Sequence, residues 1–178
     1  MPITTPSQQQ LHRLVRDVPN YPKPGVDFRD ITPLLGSPGE FALAVVSMIT
    51  PWRDSGITHV VGIESRGFIF AAPVALGLGA GFVPLRKPGK LPRTVLREAY
   101  ALEYGTDALE MHSDALQPGS RVLIVDDVLA TGGTAMAAAR LVQLAASVVA
   151  GFGFLIEIEA LGARRQMHGA RIEATLSY

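Results

Sequence analysis

The stretch VLIVDDVLATGGTA, residues 122–135, decides the fold. Its first four residues are branched and apolar, which predicts a buried strand, and they lead directly into two adjacent aspartates. A loop rich in Thr and Gly follows, and an alanine-rich segment then predicts a helix that begins near Thr134. Helix capping is the alternative for Asp126 and Asp127 alone, but capping needs one polar residue and does not explain the whole run. We therefore interpret the segment as a strand, a ligand-binding loop and a helix.

Apolar patterns on either side of this segment predict alternating strands and helices. Predicted strands cover residues 59–63, 81–85, 121–125, 148–158 and 171–176, the last at a sheet edge, and predicted helices cover 11–18, 38–53, 68–78 and the segment after Thr134. This alternation is typical of an α/β fold with a mainly parallel central sheet flanked by helices. Ligands of such sheets bind beyond the carboxyl ends of the strands, so the turns GIESRG (62–67) and DDVLATGGT (126–134) are expected to lie together.

Two segments show no sustained periodicity. Residues 20–33 contain several prolines and predict an ordered or mobile loop, whereas residues 86–105 are basic and predict a mobile loop or a small hairpin. The helix after the opening loop is predicted to place four residues on one face, namely Leu141, Leu144, Ala145 and Val148.

The composition predicts one globular domain over residues 1–178. The 16 basic and 16 acidic residues give a net charge of +0, which favours neither a nucleic acid nor a membrane surface as partner. The chain has no cysteine, which excludes disulfides and thiolate metal sites and fits a cytoplasmic protein. The four histidines match no metal-ligand spacing, and neither the N-terminus nor the apolar run 141–156 resembles a signal peptide or a membrane span.

The loop after the two aspartates has the features of a phosphate-binding site. Its glycines allow backbone N–H groups to approach an anion, the helix N-terminus adds a positive dipole end, and its threonines offer hydroxyl donors. Carboxylates repel phosphate but accept hydrogen bonds from vicinal hydroxyls, so the segment predicts a ribose-5-phosphate site. The predicted site consists of Asp126, Asp127, Ala130, Thr131, Gly132, Gly133 and Thr134. The phosphate-loop patterns GxxxxGK[ST] and GxGxxG are absent from this segment.

A set of strings in a fixed order resembles a known family. The strings are YPKPGVDFRDITPLL (21–35), GIESRGFIF (62–70), PLRKPGKLP (84–92), LEYG (102–105) and the opening segment. The opening segment resembles the phosphoribosyl pyrophosphate signature of the type I phosphoribosyltransferases, and the strings PGVDFRDITP, ESRGF and RKPGKLP resemble the adenine-specific branch of that family. The matching region extends from Leu11 to Glu159.

This resemblance implies the type I phosphoribosyltransferase fold, with a flexible catalytic loop from Pro88 to Tyr100 and a small N-terminal hood region. It implies transfer of the 5-phosphoribosyl group from phosphoribosyl pyrophosphate to N9 of adenine, which gives AMP and pyrophosphate in purine salvage. It also implies Mg²⁺ as cofactor, held through the substrate with no direct protein ligand, and a homodimer without nucleic-acid or membrane partners.

The resemblance further assigns roles to residues outside the opening segment. It assigns pyrophosphate binding to Ser65, Arg66, Gly67, Arg86, Lys87 and Lys90. It assigns catalysis to Glu103, Arg66 and Lys87, with Glu103 assisting proton movement at the purine ring. It assigns adenine binding to Val26, Asp27, Phe28 and Arg29, with Phe28 stacked on the base. For the charged residues of these loops, the alternative is a solvated charged surface.

Three residues depart from the family pattern. Asp27 stands where an apolar residue is expected, Glu64 replaces an aspartate before Ser65, and Pro88 stands where relatives carry a basic residue. Asp27 leaves base preference unchanged if only the backbone contacts the base, whereas a side chain that points into the pocket would put that preference in doubt. The change at Glu64 is conservative, and Pro88 reduces the positive charge expected for the loop, so Asp27 is the departure that bears on base preference.

Two alternative functions remain at this stage. One is a phosphoribosyltransferase for another base, such as xanthine or orotate, against which the strings FRD and RKPGKLP argue. The other is a ligand sensor that keeps the fold without chemistry. Sensors of this kind usually carry a DNA-binding domain, for which we expect neither room before the first helix nor a suitable charge.

Overall fold

The computed structural model describes residues 5–101 and 106–178. These residues form two compact units, one up to Ser47 and one from Met48 onward. The first unit contains short helices and a two-stranded sheet, whereas the second contains the large sheet. Within the two described ranges, no helix has the length and apolar character needed to cross a membrane.

The first unit begins with helix α1 (Pro6–His12). Its N-terminus carries a capping box, in which the Thr5 hydroxyl accepts from the Gln8 N–H and the Gln8 side chain accepts from the Thr5 N–H. The elements that follow are β1 (Arg16–Val18), β2 (Phe28–Asp30), α2 (Thr32–Leu35) and α3 (Pro38–Ile49). Strands β1 and β2 pair antiparallel.

The helix predicted over residues 11–18 is wrong beyond His12. Residues 16–18 form β1 because their backbone pairs with β2, and this tertiary pairing overrides a helical spacing of apolar residues. The predicted loop 20–33 accordingly contains β2 and the start of α2. The helix predicted over 38–53 is confirmed as α3 followed by a 3₁₀ turn at Thr50–Trp52.

The second unit contains the following helices and strands: β3 (His59–Ile63), α4 (Gly67–Leu78), β4 (Gly81–Leu85), β5 (Val95–Ala101), β6 (Thr106–His112), β7 (Arg121–Leu129), α5 (Gly133–Leu144), β8 (Val148–Glu157), α6 (Ala163–Gln166) and β9 (Ile172–Ser177). Five of these strands form a sheet with the order β4-β3-β7-β8-β9, in which every neighbouring pair is parallel. The inner strands are buried along most of their length, as in parallel sheets that helices cover. The predicted α/β class and parallel sheet are confirmed.

Two boundaries near the opening segment differ from prediction. Strand β7 continues to Leu129 instead of ending at Val125, so Asp126 lies within the ladder, opposite Phe154 of β8. Helix α5 ends at Leu144, where the chain turns through Ala146 with a positive φ of 53°.

The predicted apolar face of α5 is also wrong in part. Leu141 is fully buried, but Leu144 and Val148 are 57% and 52% exposed. Val148 already belongs to β8, so the helical spacing does not apply to it. The helix packs instead through Ala138, Leu141 and Val142, which have no exposed surface.

The basic segment 86–105 contains the first strand of an antiparallel hairpin, β5 and β6, which confirms the hairpin alternative for its described part. Strand β6 has no counterpart in the prediction. The hairpin is tied to the end of β4 because Arg86 and Glu110 exchange backbone hydrogen bonds of 2.9 and 2.8 Å. This attachment brings β6 beside the basic residues that follow β4.

Candidate active site

The two turns predicted to share an edge of the sheet do meet. Strands β3 and β7 are parallel neighbours, and α4 begins at Gly67, directly after the turn that follows β3. A Cβ at Gly67 would lie 2.7 Å from Asp126 Oδ1 and 3.1 Å from the Val125 carbonyl oxygen. Only glycine therefore allows the start of α4 to pack this closely against β7. The Glu64–Ser65 peptide bond in this turn is cis.

A cleft of about 540 Å³ opens where these turns meet. Its walls comprise Ile63, Glu64, Ser65, Arg66, Lys87, Tyr100, Asp126, Asp127, Val128, Ala130 and Thr134. A smaller pocket of about 70 Å³ is formed mainly by the loop from Val128 to Ala135. Of the residues predicted for pyrophosphate, Ser65, Arg66 and Lys87 line this cleft, whereas Gly67, Arg86 and Lys90 do not. Of the residues predicted for ribose 5-phosphate, Asp126, Asp127, Ala130 and Thr134 line the same cleft, and Thr131, Gly132 and Gly133 line the smaller pocket.

The loop before α5 has the backbone conformation that its glycines suggest. Gly132 has φ of 91°, a region that residues with a side chain rarely adopt, and it forms the N-cap of α5. A Cβ there would lie 3.2 Å from Met167 Sδ. The loop also forms the N-terminus of a twelve-residue helix, whose first N–H groups lack partners within the helix. Such an arrangement suits a phosphate.

The two aspartates differ in burial and in partners. Asp127 is 4% exposed, and its Oδ2 lies 2.6 Å from Arg66 Nε without forming a well-aligned hydrogen bond among the described residues. Asp126 is half-buried, and its Oδ1 accepts the Asp127 N–H at 2.9 Å. Removal from water and the nearby charge of Asp127 raise the pKa of Asp126 well above its usual range. The pair can therefore accept hydrogen bonds from hydroxyls and hold a proton.

Glu64 organises the basic residues that follow β4. Its Oε2 accepts Arg86 Nε–H at 3.0 Å and the backbone N–H of Lys87 at 2.7 Å, and Lys90 Nζ contacts Oε1. Burial of Glu64 favours its neutral form, but the hydrogen bonds from Lys90, from the Lys87 backbone and from Arg86 outweigh it and lower its pKa to about 2. Arg86 and Lys90 are thus ion-paired to Glu64, which lines the cleft, while 32% and 48% of their side chains remain exposed.

Lys87 is held by residues of the hairpin. Its Nζ lies 3.0 Å from the Tyr100 hydroxyl and contacts the Asp107 carboxylate, and the Tyr100 hydroxyl donates to Asp107 Oδ2 at 3.2 Å. Partial burial favours the neutral amine, but the hydrogen bonds to Asp107 and Tyr100 raise the pKa of Lys87. The hydrogen bond from Lys87 lowers the pKa of Asp107.

Sequence reasoning missed two carboxylates near these cations. Asp107 contacts Lys87, and Glu110, which is 6% exposed, accepts the Gly89 N–H at 2.9 Å. A signal for Asp107 is present in the sequence. It alternates with Leu109 and Met111, which are both fully buried, so a charged residue stands in register with the apolar face of a strand.

The residues predicted for adenine lie in the first unit. Phe28 is half-buried in β2, and its ring meets that of Tyr21 edge to face at 5.3 Å between centroids. Arg29 pairs with Asp17. The Asp27 side chain is exposed. Val26 accepts the Tyr21 N–H at 2.9 Å and donates to the Lys23 carbonyl at 3.2 Å.

The predicted catalytic residue Glu103 lies outside the described residues.

Comparison with known proteins gives a consistent result. Residues 48–160 match the family model of the phosphoribosyl transferase domain. The chain is 54% identical over 162 residues to the adenine phosphoribosyltransferase of Acidothermus cellulolyticus, which covers 91% of this chain and 92% of the relative. The crystal structure of adenine phosphoribosyltransferase from Rhodothermus marinus is 50% identical and superposes with a TM-score of 0.92 over 97% of this chain and 98% of that one.

A structure with bound ligands is also similar. Adenine phosphoribosyltransferase from Saccharomyces cerevisiae, complexed with D-2,5-dideoxy-2,5-imino-altritol 1,6-bisphosphate and adenine, is 37% identical. It superposes with a TM-score of 0.90 and covers 96% of this chain and 98% of its own. The similarity therefore spans both compact units and the whole sheet.

Proposed function

We propose that this chain, which belongs to the phosphoribosyl transferase family, transfers the 5-phosphoribosyl group from phosphoribosyl pyrophosphate to adenine and forms AMP and pyrophosphate. The observation that carries this proposal is that the glycine loop, the two aspartates, Arg66 and Lys87 line either the cleft or the smaller pocket, and that these two cavities share lining residues. Relatives named as adenine phosphoribosyltransferases at about half identity support adenine as the base.

The opening segment is proposed to hold the ribose 5-phosphate. The N–H groups and hydroxyls of Thr131, Gly132, Gly133 and Thr134, together with Ala130, surround the phosphate. The carboxyl groups of Asp126 and Asp127 accept hydrogen bonds from the ribose hydroxyls, and burial keeps them from exchanging these partners for water. A fixed sugar lets the base nitrogen approach C1′ in one orientation.

The other wall of the cleft is proposed to bind the leaving group. The bond between C1′ and a pyrophosphate oxygen breaks, its electron pair leaves with pyrophosphate, and N9 of adenine forms the new bond to C1′. Cations already in position stabilise the charge that grows on the leaving oxygen, and Arg66 and Lys87 are proposed to do so. The full proposed set is Ser65, Arg66, Gly67, Arg86, Lys87 and Lys90.

Adenine binding is proposed for Val26, Asp27, Phe28 and Arg29, with the ring of Phe28 as stacking partner. An exposed Asp27 side chain agrees with recognition through the backbone at this position. N9 must lose its proton as it attacks, and Glu103 is proposed to accept it, as the family resemblance implies.

Mg²⁺ would be held through the pyrophosphate oxygens of the substrate and would neutralise part of their charge. The cleft suits a hydrated ion of this kind, because the carboxylates of Asp126 and Asp127 line it and could accept hydrogen bonds from the waters that Mg²⁺ keeps. We further propose that the chain forms a homodimer, that it is cytoplasmic, and that residues 1–178 act as one catalytic domain. The absence of cysteine supports the location.

A product assay tests the function. The chain is incubated with phosphoribosyl pyrophosphate, Mg²⁺ and, in separate reactions, adenine, hypoxanthine, guanine, xanthine or orotate, while nucleotide and pyrophosphate are measured. AMP from adenine alone, lost on chelation of Mg²⁺, is the expected result. Another nucleotide would overturn the base, and binding of phosphoribosyl pyrophosphate without product from any base would favour the sensor.

A further inference from the structure

The hairpin β5–β6 brings two polar side chains to one point beside the cleft. Tyr100 and Asp107 are direct cross-strand partners in the antiparallel register, so their side chains lie on the same face. The Lys87 ammonium, which comes from the segment after β4, contacts both of them. Residues from two paired strands therefore fix an ammonium group that comes from a third segment.

The Lys87 ammonium has more hydrogen-bond donors than its two contacts on the hairpin use. An ammonium group has three N–H donors and no acceptor. The Tyr100 hydroxyl accepts one at 3.0 Å and the Asp107 carboxylate accepts another, while the Tyr100 hydroxyl donates its own proton to Asp107 at 3.2 Å. Among residues 5–101 and 106–178, Tyr100 and Asp107 are the hydrogen-bond acceptors of this ammonium, which leaves a third donor for a ligand, and Lys87 lines the cleft.

Asp107 occupies a position in which its charge requires a partner. It stands in register with Leu109 and Met111 on the face of β6 that packs into the core, where a carboxylate is unfavourable unless it is paired. At the other end of the hairpin, Arg93 and Asp114 also pair, but both side chains are more than 60% exposed and neither lines the cleft. Exposed pairs of that kind contribute little to stability.

We propose that Asp107 is a positioning residue for Lys87, which together with Tyr100 orients the ammonium so that its third donor meets a phosphate oxygen of the leaving pyrophosphate. The proposal rests on the proposed function for the identity of the anion. Lys87 itself contacts the ligand, whereas Asp107 acts only through Lys87. Its effect should therefore appear in pyrophosphate affinity and in the KM for phosphoribosyl pyrophosphate, and not in the KM for adenine.

The test is a double-mutant cycle on the full chain, with magnesium pyrophosphate binding measured by calorimetry. Asp107→Asn keeps the shape but removes the charge, and we expect affinity to fall about tenfold because a charge-assisted hydrogen bond is no longer preorganised. In the Lys87→Met background the same substitution should have no effect. Asp107→Glu should recover part of the affinity, and Tyr100→Phe should weaken binding in the same direction.

Asp114→Asn is the matched control, because it removes a carboxylate near the same hairpin without touching the cleft. Thermal melting confirms that each variant is folded. Unchanged or tighter binding in Asp107→Asn would overturn the proposal, as would an equal loss in the Lys87→Met background, which indicates a structural role. The binding readout needs no turnover, so a chain that binds pyrophosphate but makes no AMP would defeat the proposed function while still deciding the role of Asp107.

Discussion

The two walls of the cleft are built in different ways. On the side proposed to bind ribose 5-phosphate, the site is one continuous segment from Asp126 to Thr134, made of a strand end, a glycine loop and a helix start. On the cation side, Arg66, Lys87 and their neighbours come from separate turns, and carboxylates from elsewhere in the chain hold them. The first wall depends on backbone conformation, and the second depends on pairing between distant side chains.

This difference has a physical consequence for the unliganded site. A glycine loop presents N–H groups without any competing acceptor, so it is ready for an anion as soon as the helix forms. Unpaired cations at close range would repel one another, and Glu64 and Asp107 offset that repulsion. The cation wall is therefore preorganised by its anions, and the phosphate wall by its backbone.

The largest expected effect concerns the two aspartates of the first wall. The double substitution Asp126→Asn and Asp127→Asn should lower the rate of AMP formation by about a hundredfold or more, because preorganised contacts to the ribose hydroxyls are lost. Steady-state kinetics with adenine as the varied base measures this rate. Glu173→Gln on β9 is the control, since this carboxylate lies outside the cleft. Wild-type turnover in the double variant would refute the assignment to the ribose.

The contrast between the walls also explains what could be predicted from sequence. Local periodicity predicts strands β3 and β4 and helix α4 to within a residue or two of their bounds. A contiguous motif predicts the glycine loop before α5. The alternation of Asp107 with Leu109 and Met111 marks a carboxylate on the apolar face of a strand, but its contact with Lys87 depends on the pairing of β6 with distant segments, which no local pattern specifies. Strand β7 ends later than predicted because its pairing with β8 continues to Leu129. Helix α5 ends earlier than predicted because Ala146 adopts a left-handed conformation.

A second prediction tests the anions of the cation wall. Glu64→Gln should lower the free energy of unfolding at neutral pH by about 2 kcal/mol, because charge-assisted hydrogen bonds from Arg86, Lys90 and the Lys87 backbone are weakened. The pKa of Glu64 in the folded chain is about 2, below its unfolded value of about 4.3, so its stabilisation is present above the unfolded pKa and disappears as pH falls through the folded value.

Urea unfolding of wild type and Glu64→Gln at several pH values between 7 and 2 measures this effect, and the difference between them should shrink toward the acid end. Asp114→Asn, from an exposed pair, should change stability far less. Equal effects of the two substitutions would mean that Glu64 is an ordinary surface carboxylate.

A third prediction tests the backbone of the first wall. Gly132→Ala should raise the KM for phosphoribosyl pyrophosphate by about tenfold, because a Cβ at φ of 91° strains the loop and approaches Met167 Sδ at 3.2 Å. Gly119→Ala provides a matched control, since its φ is 80° and nothing lies near its added Cβ. A similar KM in both variants would show that the loop conformation does not contribute to substrate binding.

The smallest expected effect concerns the cost of keeping Asp126 beside Asp127 in the first wall, where Arg66 of the second wall pairs with Asp127. The pKa of Asp126 in the folded chain is raised by burial and by the neighbouring carboxylate, so its favourable contribution is complete below the unfolded pKa and is lost as pH rises through the folded value. Asp126→Asn stays neutral and should be more stable than wild type at pH 7.5 by about 1 kcal/mol, with the difference vanishing near pH 4. Urea midpoints at the two pH values measure this. A constant difference, or a less stable variant at pH 7.5, would mean that Arg66 already compensates the second charge and that the aspartate pair stabilises the fold as well as the ribose site.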